Sequence, residues 1–274
     1  MKQMLADVQA EPDTRGISLA EVGIEGLRYP LLIADGQGGK REVAATVTMS
    51  VSLTADVKGA HLSRFIDVLN EWRDQFGPDN TLSMVDELRR RMGSSSARVR
   101  VSFPYFLERR APVSGTLSFV DYACELEAAV SGAGFELTQH VDVPVTSVCP
   151  CSKAISDRGA HNQRGHVTIG ARPLDPCGDL WFDDLIDIAE SSGSSPVYSL
   201  LKRSDERYVT MAAYDHPVFV EDIARHVALA LQADGRIAEY RVRIVNDESI
   251  HNHAAYAAIP WTAVATANGS GDGD

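Results

Sequence analysis

Two cysteines and two histidines lie close together in the stretch VPVTSVCPCSKAISDRGAHNQRGH, residues 143 to 166. Cys149 and Cys151 are separated by one proline, so an extended backbone would place both thiols on the same face. His161 and His166 follow within fifteen residues of the second cysteine. Because thiolate and imidazole together suit zinc and other borderline divalent ions, this stretch indicates a metal site or a reactive thiol.

Three kinds of site are compatible with this stretch: a structural zinc clip, a redox pair, and an open catalytic metal site. A closed zinc clip usually has a second C-x-x-C or H-x-x-x-H pair, and the sequence has neither. A thioredoxin-like redox pair has two residues between its cysteines rather than one. The sequence ESIHNHAAYA adds His251 and His253, so an open catalytic site is favoured. Structural imidazoles and packed thiols remain the alternative for each residue taken singly.

One carboxylate is placed where a helix is predicted to begin. Glu221 lies in or near the first turn of the helix predicted in PVFVEDIARHVALAL, where the helix dipole favours a negative charge. That is a sufficient structural reason for it. The functional alternative is that Glu221 faces a pocket and accepts two parallel N–H bonds, such as those that N1 and the 2-amino group of guanine offer.

The charge balance limits the partners of the chain. With 26 Lys+Arg against 38 Asp+Glu, the formal net charge is −12, which argues against a general nucleic-acid or membrane surface. An anionic ligand must therefore be held by local basic residues, unless these are simply solvated surface groups. The candidates are Lys58, His61, Arg64, Lys153, Lys202 and Arg203, of which His61 and Arg64 share one helix face.

Cysteine usage and the N-terminal sequence favour a reducing compartment. Four cysteines at uneven spacing in 274 residues do not form a disulfide framework. The N-terminus has no basic region followed by an apolar core, and no window approaches about 18 uncharged apolar residues. We therefore expect a cytoplasmic protein.

Hydrophobic periodicity predicts two α+β halves. A strand from Glu42, two helices, and two strands joined at Pro112–Gly115 form the first half, and a similar mixture of strands and helices follows Gly134. The element order, and no residue-level repeat, suggests duplication. The predicted divisions are an N-terminal arm (1–41), a first module (42–133), a second module that carries the Cys/His site (134–265) and a disordered tail (266–274).

Taken together, the motifs resemble those of GTP cyclohydrolase I of type IB, a prokaryotic family. The resemblance rests on DTRGI, GLRYP, KGAHLSRF, RVSFPYFLERRAPVSG, VPVTSVCPCSKAISDRGAHNQRGH, PVYSLLKRSDERYVT, FVEDIARHVAL and ESIHNHAAYA. It implies the α+β tunnelling fold (T-fold), with two tandem modules of antiparallel sheet and helices packed on one face. It also implies a homotetramer with active sites at subunit interfaces. The implied reaction converts GTP and water to 7,8-dihydroneopterin 3′-triphosphate and formate, the first step toward folate.

The resemblance also assigns roles to residues. It implies metal ligands at Cys149, His161, Glu206 and His251. It implies catalytic roles for Cys149, Cys151, His161 and His253, with Cys151 as a second thiol beside the reacting carbon. The substrate-binding candidates are Glu221, which would anchor guanine, and His61, Arg64, Lys153, Lys202 and Arg203. The division of roles among Glu206, His251 and His253 stays open.

The implied cofactor is a divalent metal. Opening the imidazole ring of guanine at C8 needs hydroxide at neutral pH, and a divalent metal supplies it by lowering the pKa of bound water to about 7. Mn, Fe(II) or Zn would suit a site of carboxylate, imidazole and one or two thiolates. Imidazoles titrate in the range needed to move the accompanying protons.

Three other functions remain as alternatives. Nitrile reductases of queuosine synthesis share the fold and use a cysteine nucleophile with NADPH, but they lack the Cys-Pro-Cys to His161 spacing. An archaeal relative of the type IB enzymes releases a cyclic phosphate product. A non-catalytic purine-binding or metal-storage protein is the alternative outside enzymes, and no nucleic-acid or membrane partner is expected.

Overall fold

The structure is a computed structural model that describes residues 7–36 and 38–265. The predicted disordered tail (266–274) lies outside the described residues. The described residues contain nine strands: β1 (Leu19–Ala34), β2 (Lys40–Leu53), β3 (Ala97–Arg110), β4 (Leu117–Ser131), β5 (Gly134–Val148), β6 (Asn162–Pro173), β7 (Ser195–Pro196), β8 (Ile237–Asp247) and β9 (Ala254–Ala263). The helices are α1 (Ser63–Trp72), α2 (Pro78–Met92), α3 (Pro150–Ile155), α4 (Phe182–Ser192), α5 (Arg203–Asp215) and α6 (Val220–Ala233), after one 3-10 turn (Val8–Ala10).

The strands form a sheet in the hydrogen-bonded order β1-β2-β3-β4-β5-β6-β8-β9, and β7 pairs with β5. The pairings β1–β2, β2–β3, β5–β7, β6–β8 and β8–β9 are antiparallel. An antiparallel sheet combined with helices confirms the α+β class that the sequence predicted. None of the helices in the described part of the chain is long and apolar enough to span a membrane.

The chain divides into two compact units. Unit 1 is formed from Met1–Tyr105, Ala123–Gln139 and Asp175–Trp181, and unit 2 from Phe106–Tyr122, His140–Leu174 and Phe182–Asp274. Strands β3, β4 and β5 each contribute residues to both units. These units are not the contiguous modules (42–133 and 134–265) expected from element order, and that modular division stays a prediction.

The first strand lies where the sequence predicted an irregular arm. Strand β1 pairs with β2 along its length, with two register shifts near its beginning. Only Leu31 and Ile33 of β1 are buried. Because the shifts interrupt the alternation and most side chains face solvent, hydrophobic periodicity does not reveal this strand. The expectation that regular structure begins near Glu42 is therefore wrong.

In unit 2, helix α6 packs against β8 and β9 through one apolar face. Ile223, Val227 and Leu231 recur every four residues on this face, and all three are fully buried. Just before the helix, the amide of Val218 donates to the carbonyl of Val148 at 3.1 Å. The beginning of α6 is therefore fixed beside the end of β5.

A buried carboxylate ties the turn between β3 and β4 to the beginning of α5. Asp205 is fully buried, and its Oδ1 accepts from the amides of Val113 and Ser114 at 2.8 Å each. Its Oδ2 accepts from the Ser114 hydroxyl at 2.7 Å and from the Lys202 amide at 2.8 Å. Burial alone would raise the pKa of this carboxyl, but the hydrogen bonds outweigh burial and hold the pKa of Asp205 well below its usual range.

We predict that Asp205→Asn lowers the melting temperature at neutral pH, because an amide group would then face N–H and O–H donors. Since the folded-state pKa lies below the ordinary value of 3.8, the stabilisation is present above that value. It is lost as the pH falls toward the folded-state pKa. Melting curves from pH 7 to pH 3 should therefore show a difference between wild type and variant that narrows below about pH 4.

Asp222→Asn is the matched control for this prediction. Asp222 occupies the equivalent position in α6, is more exposed, and accepts from the Phe219 amide at 3.2 Å. Its replacement should cost less stability than that of Asp205. Equal losses in the two variants, or a difference that does not change with pH, would contradict the role given to Asp205.

Candidate active site

A cavity of about 310 Å³ in unit 2 brings together side chains that the sequence separates by up to 106 positions. Five residues predicted from the sequence line it: Cys149, His161, Glu221, His251 and His253. They come from the end of β5, the segment before β6, the first turn of α6, and the loop between β8 and β9. The cavity therefore combines a thiol, three imidazoles and a carboxylate.

The thiol and the first imidazole are held by a loop that closes on itself. The amide of Cys149 donates to the carbonyl of His161 at 3.1 Å, which joins the two ends of the loop. Within it, the amide of Ser152 donates to the Cys149 sulfur at 3.4 Å, and the Ser152 hydroxyl accepts from the His161 amide at 3.2 Å. Cys149 is a free, half-buried thiol. The geometry of both residues is thus fixed locally.

The ring of His161 faces two oxygen atoms that the sequence analysis did not single out. Its Nδ1 lies 3.0 Å from Oε1 of Gln163 and 3.8 Å from Oε2 of Glu248. This Glu248 oxygen is buried and has no hydrogen-bond partner among the described residues. A buried carboxylate oxygen without a donor is costly unless a cation or donor meets it. The cavity therefore offers a binding position for a cation or for a ligand with an N–H donor.

Besides Gln163, a second side-chain amide, that of Asn246, is buried on the wall of the cavity. Asn246 donates from Nδ2 to the hydroxyl of Ser147 at 2.9 Å, while its Oδ1 has no hydrogen-bond partner in the described part of the chain. Across the β6–β8 pairing it faces Gly165, where a Cβ atom would come within 2.5 Å of that oxygen. Any larger residue at position 165 would therefore force the Asn246 side chain to shift.

Two imidazoles stack in the loop between β8 and β9. The ring centroids of His251 and His253 lie 5.2 Å apart with an interplanar angle of 16°, and both side chains are exposed. Glu221, also exposed, projects from the first turn of α6. An imidazole can serve as a general acid or base, so both side chains are candidates for proton transfer.

The remaining candidates of unit 2 do not line this cavity. They are Cys151, Lys153, Lys202, Arg203 and Glu206. Cys151 and Glu206 are exposed on α3 and α5. The ammonium group of Lys153 donates to the carbonyl of Tyr214 and lies 4.2 Å from the centroid of the Tyr214 ring. Lys153 therefore has partners on α5.

Three basic candidates of unit 1 lie on or just before α1. The ammonium group of Lys58 donates to a carboxylate oxygen of Glu11 at 2.5 Å. His61 Nε2 is 3.5 Å from a carboxylate oxygen of Asp7. Arg64 is exposed, and its Nη1 donates to the carbonyl of Arg91 at 3.4 Å. Their role in substrate binding stays a prediction.

The side chains of the cavity do not by themselves form the complete metal-ligand set that the sequence predicted. Within residues 7–36 and 38–265, the cysteine, histidine and glutamate residues of this cavity form no group of three whose ligand atoms all lie within 4.8 Å of one another. A metal bound between Cys149 and His161 would therefore need a further ligand to approach. The full set of Cys149, His161, Glu206 and His251 stays a prediction.

Gln163, Asn246 and Glu248 are the residues that sequence reasoning missed. Gln163 lies two residues after His161 on a strand, so the two side chains share a face. Glu248 lies three residues before His251, and Asn246 is opposite the HNQRGH motif in the β6–β8 pairing. The Gln163 signal was available from period-two alternation. The Asn246 signal depends on strand pairing, and the Glu248 signal depends on the course of the loop after β8.

Comparison with solved structures supports the fold. A uricase from Bacillus fastidious matches with a TM-score of 0.51 at 9% sequence identity, over 89% of this chain and 93% of that chain. A hyper-thermostable uricase variant matches with a TM-score of 0.50 at 12% identity, over 93% and 94% of the two chains. At such low identity these matches show a shared fold alone.

Sequence comparison shows the family. The family model described as type I GTP cyclohydrolase folE2 matches residues 5–257. The GTP cyclohydrolase FolE2 of Pseudothermotoga lettingae is 46% identical over 255 residues, which cover 93% of this chain and 98% of that protein. That of Methylococcus capsulatus is 47% identical over 253 residues, with 92% and 93% covered. The chain therefore belongs to the type I GTP cyclohydrolase FolE2 family.

Proposed function

We propose that this chain is a metal-dependent GTP cyclohydrolase I of type IB. It hydrolyses GTP to 7,8-dihydroneopterin 3′-triphosphate and formate, the first step of folate biosynthesis. The observation that carries the proposal is the cavity of unit 2, where the thiol of Cys149 and the imidazole of His161 share a wall with the carboxylate of Glu221. Family membership supports the same reaction.

A divalent metal fits the donors of this cavity. Cys149 and His161 would hold it, and the unpartnered Oε2 of Glu248 gives the wall an anionic oxygen beside them. Glu206 and His251 are the proposed further ligands. Thiolate, imidazole and carboxylate together would accept Mn, Fe(II) or Zn. When bound, such a metal makes a water molecule acidic enough to supply hydroxide near neutral pH.

Glu221 is the proposed anchor for guanine. Its carboxylate lies on the cavity wall and can accept two parallel hydrogen bonds, from N1 and the 2-amino group of the base. A carboxylate in the first turn of a helix also interacts favourably with the helix dipole. Anchoring the pyrimidine side of guanine would leave its imidazole ring to face Cys149 and His161.

Proton transfer is assigned to the remaining reactive side chains. His253, together with His251 where it is not a ligand, would carry protons to the ring nitrogen and from the ribose. Cys151 is proposed as a second thiol beside the reacting carbon. Because the structure places Cys151 on an exposed face of α3, this role requires the substrate or another chain segment to cover it.

The basic residues that bind the triphosphate must come from outside the cavity wall. None of the described residues that line the cavity is a lysine or an arginine. The proposed phosphate contacts are His61, Arg64, Lys153, Lys202 and Arg203. We propose a homotetramer of tunnelling-fold chains, each with two tandem modules and with active sites at subunit interfaces. We propose that the enzyme works in the cytoplasm, without nucleic-acid or membrane partners.

Turnover of GTP by metal-reconstituted protein tests the proposed function. Purified protein is stripped of metal, loaded with Mn, Fe(II) or Zn, and assayed for formate and for the mass of the pterin product. The expected product is 7,8-dihydroneopterin 3′-triphosphate. A cyclic phosphate product would identify the archaeal type of reaction, and NADPH oxidation with a cyano-deazapurine would identify a nitrile reductase. Absence of GTP turnover with every metal would refute the proposal.

We predict that Cys149→Ala and Cys151→Ala have different effects. Loss of a ligand at Cys149 should weaken metal binding by more than the roughly 10- to 100-fold typical for loss of a supporting hydrogen-bond partner, and activity should disappear with it. Cys151→Ala should keep most of its metal and lose rate. Metal content by mass spectrometry and kcat measured at saturating metal separate the two effects. Equal loss of metal in both variants would refute this division of roles.

We predict that Glu221→Gln lowers kcat/KM for GTP about 30- to 1,000-fold without changing metal content. The amide keeps one acceptor oxygen and turns a donor toward a donor of the base, which costs about 2 to 4 kcal/mol in a desolvated site. If the Glu221 carboxylate only interacts with the helix dipole, Glu221→Gln costs about 0.3 to 1 kcal/mol of stability and leaves catalysis nearly unchanged.

Asp222→Asn is the matched control for Glu221→Gln. Asp222 follows Glu221 in the same turn of α6 and does not line the cavity. It should lose a similar dipole interaction and keep its catalytic rate. Undiminished kcat/KM in Glu221→Gln, or an equal loss in Asp222→Asn, would show that guanine is bound elsewhere.

A further inference from the structure

We propose that Gln163 is a positioning residue that keeps the proton of the His161 imidazole on Nδ1 and the lone pair on Nε2. The two nitrogens of a neutral imidazole differ, because one donates a hydrogen bond and the other accepts one or binds a metal. This inference rests on the proposed metal-binding role of His161. The inference identifies the residue that decides which imidazole nitrogen of His161 can bind the metal.

The surroundings of Nδ1 place the proton there. Nδ1 lies 3.0 Å from Oε1 of Gln163 and 3.8 Å from Oε2 of Glu248. Both atoms are acceptors. A lone pair on Nδ1 would face two oxygen atoms, whereas an N–H group donates to the nearer one and is attracted by the farther one. The remaining nitrogen, Nε2, then keeps the lone pair.

Gln163 is better placed than Glu248 to hold this proton. The 3.0 Å distance is that of a hydrogen bond, whereas 3.8 Å is too long for one. The Gln163 side chain is nearly fully buried on β6, and its strand neighbour His161 is fixed through the bonds to Cys149 and Ser152. The imidazole and its acceptor therefore belong to two rigid, adjacent segments.

This arrangement matters for metal binding. A histidine ligand usually donates its other N–H to an oxygen, which fixes the tautomer and the ring orientation, and loss of that partner typically weakens metal affinity or activity about 10- to 100-fold. Without Gln163, the ring can rotate or transfer its proton to Nε2. Such a ring must first change its tautomer before it can bind a metal through Nε2.

The tautomer can be measured directly in metal-free wild-type protein. The histidine side chains are labelled with nitrogen-15, the pH is set high enough to keep the imidazoles neutral, and the His161 signals are assigned from their absence in His161→Ala. We expect a protonated Nδ1 and an unprotonated Nε2. The opposite pattern would overturn the proposal, and this test requires neither metal nor turnover.

Two variants at position 163 test whether the acceptor oxygen of Gln163 supports metal binding by His161. Gln163→Leu removes the acceptor at similar size, whereas Gln163→Glu retains an acceptor oxygen. We expect metal titration to show about 10- to 100-fold weaker binding in Gln163→Leu and a far smaller loss in Gln163→Glu. Binding as tight as wild type in Gln163→Leu would overturn the proposal, as would an equal loss in both variants.

Glu248→Gln distinguishes the two oxygen atoms. If Gln163 holds the proton, the His161 tautomer persists in Glu248→Gln and changes in Gln163→Leu. If the tautomer instead changes only in Glu248→Gln, the positioning role belongs to Glu248 and the proposal is wrong. A wild-type protein that binds no metal would refute the proposed metal site, while the tautomer measurement would still decide the role of Gln163.

Discussion

The site depends on one backbone hydrogen bond, which the amide of Cys149 donates to the carbonyl of His161. It closes residues 150–160 into a loop, so a thiol and an imidazole that are far apart in the sequence lie on one wall. Ser152 strengthens the closure, because its amide donates to the Cys149 sulfur and its hydroxyl accepts from the His161 amide. The donors are therefore preorganised by bonds that need no metal.

The adjacent residue holds the other part of the site. Val148, the last residue of β5, accepts from the amide of Val218 just before α6 begins. Two consecutive residues at the end of one strand thus fix the loop that carries Cys149 and His161 and the helix turn that carries Glu221. The separation between the proposed guanine anchor and the proposed metal ligands is set by the sheet and by the packing of α6 on β8.

Much of this could be predicted from the sequence, where the signal is local. Alternation and helical spacing located β2, α1, α2 and α6, and the spacing of Cys149 and His161 indicated a joint site. The strand β1 could not be predicted, because its bulges and exposed face remove the alternation. Asn246 was missed because its neighbours come from strand pairing, and Glu248 because it lies in the loop after β8, whose course local patterns do not predict. The contact of the Lys153 ammonium group with Tyr214 could not be predicted either, because the two residues lie 61 positions apart in the sequence.

X-ray absorption of the metal-loaded protein is the most direct test of the central claim, that Cys149 and His161 bind the catalytic metal. With zinc as the probe, we expect one sulfur neighbour near the usual Zn–S distance of about 2.3 Å. We also expect at least one imidazole nitrogen near about 2.0 to 2.1 Å. The sulfur signal should vanish in Cys149→Ala and the imidazole signal should diminish in His161→Ala. A spectrum without sulfur, or one unchanged in both variants, would contradict this account.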